Sequence, residues 1–195
     1  NWKFYTDPVF AGHYSDYILN TLAKEGTLME IGPDDYRLMS QPIDYYGLNV
    51  YNRVMVSHDQ KAVADFSQGG NFLNNRTEYY PKAIYDAIHL MHDLYDLQIP
   101  IYITENGMAC HDVVSMDDMV HDPNRIDFTQ RYLLELEKAT DTADIRGYFH
   151  WSLLDNFEWT DGFSPRFGMI YIDYSNMNRI IKDSGYWYKK WIQEH

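Results

Sequence analysis

Strand-like and helix-like segments alternate along this chain, and this alternation constrains the fold more than any other feature of the sequence. The segment IPIYIT, residues 99–104, is a nearly continuous apolar run, as in strands that are buried on both faces of a sheet. Residues 81–96 and 127–140 carry apolar side chains at helical spacing on either side of it. Strands joined by crossover helices form a parallel sheet, so the sequence predicts an α/β fold.

Other segments extend this pattern over the rest of the chain. A strand is predicted to end near Tyr51, another covers residues 145–152, and residues 168–173 are predicted as a short strand. Asp127 is interpreted as the N-cap of its helix, and the polar residues 54–75 as a long loop. Three more helices are predicted, from about Ser15 to Lys24, from Pro33 onward, and from Asp183 to Trp191.

The charge and cysteine content exclude several classes of protein. The formal net charge is −13, so the phosphates of nucleic acid and an acidic membrane surface are disfavoured as partners. No segment approaches the roughly 20 apolar residues of a membrane span. Cys110 is the only cysteine, which excludes an intrachain disulfide and fits a reducing compartment. We therefore expect a cytoplasmic protein that binds neither nucleic acid nor membrane. No cofactor is expected either.

A carboxylate follows the most strongly apolar strand, where IYIT runs into Glu105. In α/β folds the loops that carry functional sites meet at the carboxyl ends of the strands. Asn49 and Tyr51 occupy the corresponding end of the preceding strand, and as alternate residues they are expected to point to the same side. Taken by its position alone, Glu105 fits a functional carboxylate and a residue that caps the next turn equally well.

Indole and carboxylate side chains follow the third strand of this series. Trp151 comes at its end, and Glu158 and Trp159 come within eight residues of it. Indole rings pack on the C–H face of a sugar, while carboxylates and amides hold its hydroxyl groups. Each of the two tryptophans, considered alone, could also be an ordinary residue of the hydrophobic core. Together with the glutamates they predict a sugar-binding site.

Four quoted segments give the chain a resemblance to a known family. YYGLNVYN, IYITENG, RGYF.WSLLDNFEW.DGFS.RFG..YID and K.S..WY resemble the C-terminal portion of family 1 glycoside hydrolases, the β-glucosidases. The resemblance spans nearly the whole chain. It implies a (β/α)8 barrel of which this chain supplies a part, approximately strands six to eight with their helices. Residues 1–195 would then be a single, incomplete domain.

The resemblance also implies roles for individual residues in the hydrolysis of β-glycosides with retention of configuration. Glu105 would be the catalytic nucleophile, and Tyr51 would be the phenol that hydrogen-bonds it. Asn49 would approach the 2-hydroxyl of the sugar, and Trp151 would form the floor of the sugar pocket. The residues expected around the outer hydroxyls and the pocket mouth are Glu158, Trp159 and Phe163.

One part of the catalytic machinery of the family does not occur in this sequence. The family takes its acid/base glutamate from a T.NEP segment after the fourth strand, and no such segment is present. We therefore expect little or no activity from this chain alone, and association with the missing N-terminal half or with itself through open sheet edges. The alternative function is a non-catalytic carbohydrate-binding or assembly module built on the same aromatic surface.

Histidines are the remaining residues that could indicate a metal site. His89 and His92 are three residues apart in a predicted helix, and His111 and His121 lie in an acidic loop. Neither pair has the ligand spacing of a known metal motif. We interpret these side chains as surface histidines and expect no metal.

Overall fold

A computed structural model describes residues 2–59 and 78–195 of the chain. The polypeptide first forms three helices, α1 (Lys3–Thr6), α2 (Asp16–Glu25) and α3 (Pro33–Met39), with a π-helical turn at Asp7–Ala11. The central part consists of β1 (Tyr46–Asn49), α4 (Ala83–Tyr95), β2 (Ile101–Asn106), α5 (Pro123–Ala139) and β3 (Ile145–His150). A 3-10 turn at Trp159–Asp161, the strands β4 (Ile170–Asp173) and β5 (Asn178–Ile181), and α6 (Asp183–Glu194) complete the order.

The strands β1, β2 and β3 form a parallel sheet in that order. Tyr46 pairs with Ile101 and Ile103 with Tyr148, and the register shifts as the strands approach their carboxyl ends. The connections contain α4 and α5, as expected for parallel neighbours. The predicted α/β fold is therefore confirmed.

One face of the sheet packs against the helices. Ile101 and Ile103 are almost completely buried there, because alternate residues of a strand point to the same side. Ile84 and Ile88 of α4 and the ring of Phe128 of α5 meet them in one core. The hydrophobic effect therefore fixes the sheet to these helices.

The opposite face of the sheet is open in the described part of the chain. Tyr45 and Phe149 each expose 57% of their surface, and the ring of Tyr45 lies against Tyr102 with centroids 5.4 Å apart. Within residues 2–59 and 78–195 the three parallel strands do not close into a barrel. This open sheet agrees with the partial (β/α)8 barrel, approximately strands six to eight, that is expected from the sequence.

The predicted start of one helix is wrong. The helix predicted to start at Asp127 begins at Pro123, with Asp122 as its N-cap residue, because Arg125 and Ile126 already donate to the Asp122 carbonyl. The short strand predicted at residues 168–173 is present as β4, and it pairs antiparallel with β5, which the sequence did not predict. The predicted loop 54–75 lies outside the described residues from position 60 onward.

The length and apolar character of the helices bear on membrane insertion. In the described ranges, none of them combines the length and the apolar character needed to cross a bilayer.

Candidate functional site

The carboxyl ends of β1, β2 and β3 lie side by side and bring the predicted site residues to one edge of the sheet. Glu105 is the next-to-last residue of β2 and pairs with Asn49, the last residue of β1. Trp151 comes immediately after β3. The order of the strands therefore places the three predicted strand ends next to one another.

Tyr51 and Glu105 are in direct contact. The Tyr51 hydroxyl donates to Oε2 of Glu105 at 2.9 Å. Burial of the phenol raises the pKa of Tyr51 well above its usual value, and the hydrogen bond to Glu105 and the charges of Glu105 and Glu158 raise it further. The phenol therefore stays protonated and acts as a donor that holds one oxygen of the carboxylate.

Asn106, a residue that sequence reasoning missed, joins the three strand ends. Its side chain is completely buried, its Nδ2 donates to the Val50 carbonyl at 2.7 Å, and its Oδ1 accepts from the Tyr148 hydroxyl at 2.7 Å. The signal that could have found it is a polar residue directly after Glu105 at the end of a buried strand. Because a buried amide must be hydrogen-bonded, this arrangement defines the relative positions of the strand ends.

Asn49 lies on the open face of the sheet. Its Oδ1 accepts a hydrogen bond of 2.6 Å from the Thr104 hydroxyl. With this oxygen engaged, the amide nitrogen of Asn49 is the group that can donate to a ligand. The residue is exposed and adjacent to Glu105 in register, as an approach to a sugar hydroxyl requires.

Trp151 is attached to β2 through its backbone. Its amide donates to the Asn106 carbonyl at 2.8 Å, and its side chain is half-buried. The peptide bond between Trp151 and Ser152 is cis. The hydrogen bond to the Asn106 carbonyl places Trp151 next to the strand that carries Glu105.

The loop after β3 carries the remaining candidate residues. The Glu158 amide donates to the Gly162 carbonyl at 2.7 Å, which closes a tight turn around Trp159. Trp159 exposes 80% of its surface, and Phe163 exposes 54% while its ring contacts Tyr174 at a centroid distance of 4.7 Å. Both of these aromatic side chains are therefore largely open to solvent.

A buried ionic cluster anchors this loop, and sequence reasoning missed it because its members are far apart in the chain. Oδ1 of Asp155 accepts from Lys182 at 2.8 Å, and its Oδ2 accepts from Arg166 at 2.7 Å. Lys182 also donates to Asp112 at 2.6 Å. The cluster contains three acidic and three basic side chains: Asp112, Asp122, Asp155, Arg125, Arg166 and Lys182. Its charges balance, as expected for ionised groups held away from water.

His150, the last residue of β3, lies next to Trp151 at the end of the strand. Both of its ring nitrogens are inaccessible to solvent. Burial lowers the pKa of His150 to about 3, and the nearby charges of Arg125 and Lys182 contribute to this shift. The imidazole is therefore neutral at physiological pH.

Two of the four histidines considered as metal ligands lie beside aspartates. His92 lies 4.0 Å from Asp96, and His121 lies between Asp117 and Asp183 at 3.1 and 2.6 Å. Among the residues that the structure describes, no group of three or more His, Cys, Asp or Glu side chains is placed to hold a metal ion.

A surface cavity lies elsewhere, on the helical side of the sheet. Its volume is about 790 Å³, and none of the candidate site residues lines it. Its lining combines both signs of charge, including Lys82, Arg131 and Glu135. The cavity is therefore separate from the sheet edge that carries Glu105.

Comparison with known proteins relates the whole chain to one family. The model of glycosyl hydrolase family 1 matches residues 1–195. The chain is 41% identical to a 1,4-beta-D-glucan glucohydrolase of Thermotoga neapolitana and 40% identical to Beta-glucosidase A of Thermotoga maritima, in each case over all of this chain and 44% of the relative.

Solved structures agree with the sequence comparison. The Thermotoga maritima beta-glucosidase in complex with castanospermine superimposes with a TM-score of 0.90 at 37% identity. Its complex with deoxynojirimycin gives the same two values. Each superposition covers 99% of this chain and 44% of the other, so the chain spans less than half the length of the proteins it matches.

Proposed function

Because the chain belongs to glycosyl hydrolase family 1, we propose that it forms the C-terminal part of an enzyme that hydrolyses β-glycosides with retention of configuration, of the β-glucosidase type. The complete enzyme is this chain, residues 1–195 as one incomplete domain, together with an N-terminal part of the barrel. One observation carries the proposal, the hydrogen bond of 2.9 Å from Tyr51 to Glu105 at adjoining strand ends. A carboxylate held in this way has one oxygen engaged and the other available for attack.

In the proposed reaction, an oxygen of Glu105 attacks the anomeric carbon of the sugar. The bond from that carbon to the leaving oxygen breaks, and an acid from the N-terminal part protonates this oxygen. A glycosyl ester of Glu105 remains. Water, deprotonated by the same acid/base group, then attacks the anomeric carbon and releases the sugar and the free carboxylate. The two carboxyl groups of a retaining enzyme lie about 5 Å apart, which locates the missing acid near Glu105.

The other candidate residues would bind the sugar. The Asn49 amide would donate to the 2-hydroxyl, and the Trp151 indole would lie beneath the ring of the sugar. Glu158 would accept from outer hydroxyls, with Trp159 and Phe163 beside it at the pocket mouth. The loop anchored by the buried ionic cluster is the support for these contacts.

The alternative is a module that binds carbohydrate without hydrolysing it. The exposure of Trp159 and Phe163, 80% and 54%, favours this function, because an open aromatic surface is enough for stacking on a sugar. The two functions differ in whether Glu105 forms a covalent bond.

The decisive experiment is covalent labelling of the complete enzyme with an activated 2-deoxy-2-fluoro-β-glucoside, followed by peptide mass analysis. We expect the label on the peptide that contains Glu105 and loss of turnover in Glu105→Gln. Glu137→Gln is the matched control, since Glu137 is an exposed carboxylate of α5, and it should label and turn over normally. A label on another residue of an active enzyme contradicts the role of Glu105. Sugar binding with neither label nor turnover supports the non-catalytic module.

A further inference from the structure

A buried hydroxyl of α5 lies behind the pair formed by Tyr51 and Glu105. Tyr132 is completely buried, and its hydroxyl donates to the Tyr51 carbonyl at 2.7 Å. The same hydroxyl accepts from the Tyr80 amide at 3.3 Å. Burial raises the pKa of Tyr132, so the hydroxyl keeps the proton that it donates.

This contact reaches a part of the backbone that the sheet does not hold. The strand β1 ends at Asn49, and its last backbone bond to β2 runs from the Val50 amide to the Glu105 carbonyl. The Tyr51 carbonyl lies beyond this point and is bonded to a helix instead. Tyr51 is thus held at two ends, by Tyr132 at its backbone and by Glu105 at its phenol.

We propose that Tyr132 is a positioning residue of the glycosidase reaction, whose hydroxyl holds the Tyr51 backbone and thereby directs the Tyr51 phenol toward Glu105. This inference rests on the proposed function. Without the hydroxyl, the Tyr51 carbonyl loses its bond to α5 and the phenol donates over a wider range of directions. The carboxylate then spends less time in the orientation for attack, and small displacements of reacting groups have large effects on rate.

The substitution Tyr132→Phe isolates the hydroxyl. The Tyr132 ring stacks on Phe128 with centroids 4.1 Å apart, and phenylalanine keeps that contact. Tyr79→Phe is the matched control, because the Tyr79 hydroxyl donates to Asp127 of the same helix at 3.0 Å and makes no bond to Tyr51. Each substitution removes one tyrosine hydroxyl, from α5 itself in Tyr132→Phe and from a side chain that contacts α5 in Tyr79→Phe.

The test is a double-mutant cycle in the complete enzyme with Tyr132→Phe, Tyr51→Phe and the double variant. We expect Tyr132→Phe to lower kcat roughly three- to tenfold, the effect of one hydrogen bond, with little change in KM. In the Tyr51→Phe background, the further loss should be less than about twofold. Tyr79→Phe should leave kcat unchanged. No loss in Tyr132→Phe, or an equal loss in both backgrounds, overturns the proposal.

A second measurement separates this proposal from the proposed function. The resonance of the Tyr51 ring carbon that bears the hydroxyl is observed by NMR with ¹³C-labelled tyrosine and assigned by its disappearance in Tyr51→Phe. It should shift in Tyr132→Phe and stay in place in Tyr79→Phe. If the complete enzyme proves inactive, the proposed function fails, and this resonance alone decides: a shift supports the positioning of Tyr51 by Tyr132, and an unchanged resonance overturns it.

Discussion

The ammonium group of Lys182 donates to Oδ1 of Asp155 at 2.8 Å, and both side chains are fully buried. Lys182 directly precedes α6, and Asp155 lies in the loop that carries Glu158. Asp155 also accepts from the Gly168 amide at 2.9 Å. The pair therefore connects the proposed sugar-binding loop to the rest of the core without contributing a side chain to the sugar site.

Lys182→Met is expected to destabilise the complete enzyme by about 3–5 kcal/mol, because it leaves the Asp112 and Asp155 carboxylates buried without their common partner. The free energy of unfolding is measured by urea denaturation. Lys190→Met serves as the control, since Lys190 is exposed and its bridge to Glu194 spans 3.6 Å at the surface. A Lys182→Met variant as stable as the control would contradict a structural role for the cluster.

Because the pKa of His150 is lowered, we expect the folded protein to lose stability in mild acid. Its pKa of about 3 in the folded protein lies below the ordinary value of 6.5, so the unfolded chain binds the proton more tightly. The His150 contribution to stability therefore falls as the pH decreases through 6.5, and it continues to fall toward pH 3. Between pH 7 and pH 5 the loss amounts to about 2 kcal/mol.

His150→Gln tests this prediction because glutamine carries no titrating group. Urea midpoints of both proteins at pH 7 and pH 5 give the comparison, and the fall in the native protein should exceed that in His150→Gln. Parallel falls in the two proteins would show that other groups cause the acid sensitivity.

Because Glu158 is negatively charged, we expect the complete enzyme to prefer unphosphorylated sugars. A carboxylate at the outer hydroxyls repels a phosphate group on the sugar. We expect kcat/KM for an aryl β-glucoside to exceed that for its 6-phosphate, and Glu158→Gln to reduce the ratio. Asp161→Asn, which removes an exposed carboxylate from the same loop, should change the ratio less. Faster hydrolysis of the 6-phosphoglucoside by the unaltered enzyme would refute the prediction.

The chain alone is expected to show no appreciable hydrolysis of β-glucosides. A general acid contributes roughly 10²- to 10⁴-fold to such reactions, and orientation by the remaining pocket walls is lost as well. Aryl β-glucoside hydrolysis is compared for this chain, for an N-terminal part that carries the T.NEP segment, and for their mixture. The mixture should exceed either part. Turnover by this chain alone that disappears in Glu105→Gln would show that another group supplies the acid.

The strand order and the position of Glu105 could be predicted because both depend on local patterns. Apolar runs of strand length, separated by amphipathic helices, permit few arrangements other than parallel neighbours. Since parallel strands end at one edge, the residues after them were expected to meet, and Tyr51 does contact Glu105. Shorter elements were harder to predict, and β5 was missed because its four residues carry too little pattern.

The sequence by itself therefore determined the fold class and the sheet edge at which the candidate site and its proposed carboxylate, Glu105, lie. Only the tertiary structure decided which buried polar groups support that carboxylate. Tyr132 lies 81 residues from Tyr51, and Lys182 lies 70 residues from Asp112. The physical reason is that the apolar pattern of a sequence indicates which side chains become buried on folding. A hydrogen bond between distant residues depends instead on how the helices and loops pack over the sheet.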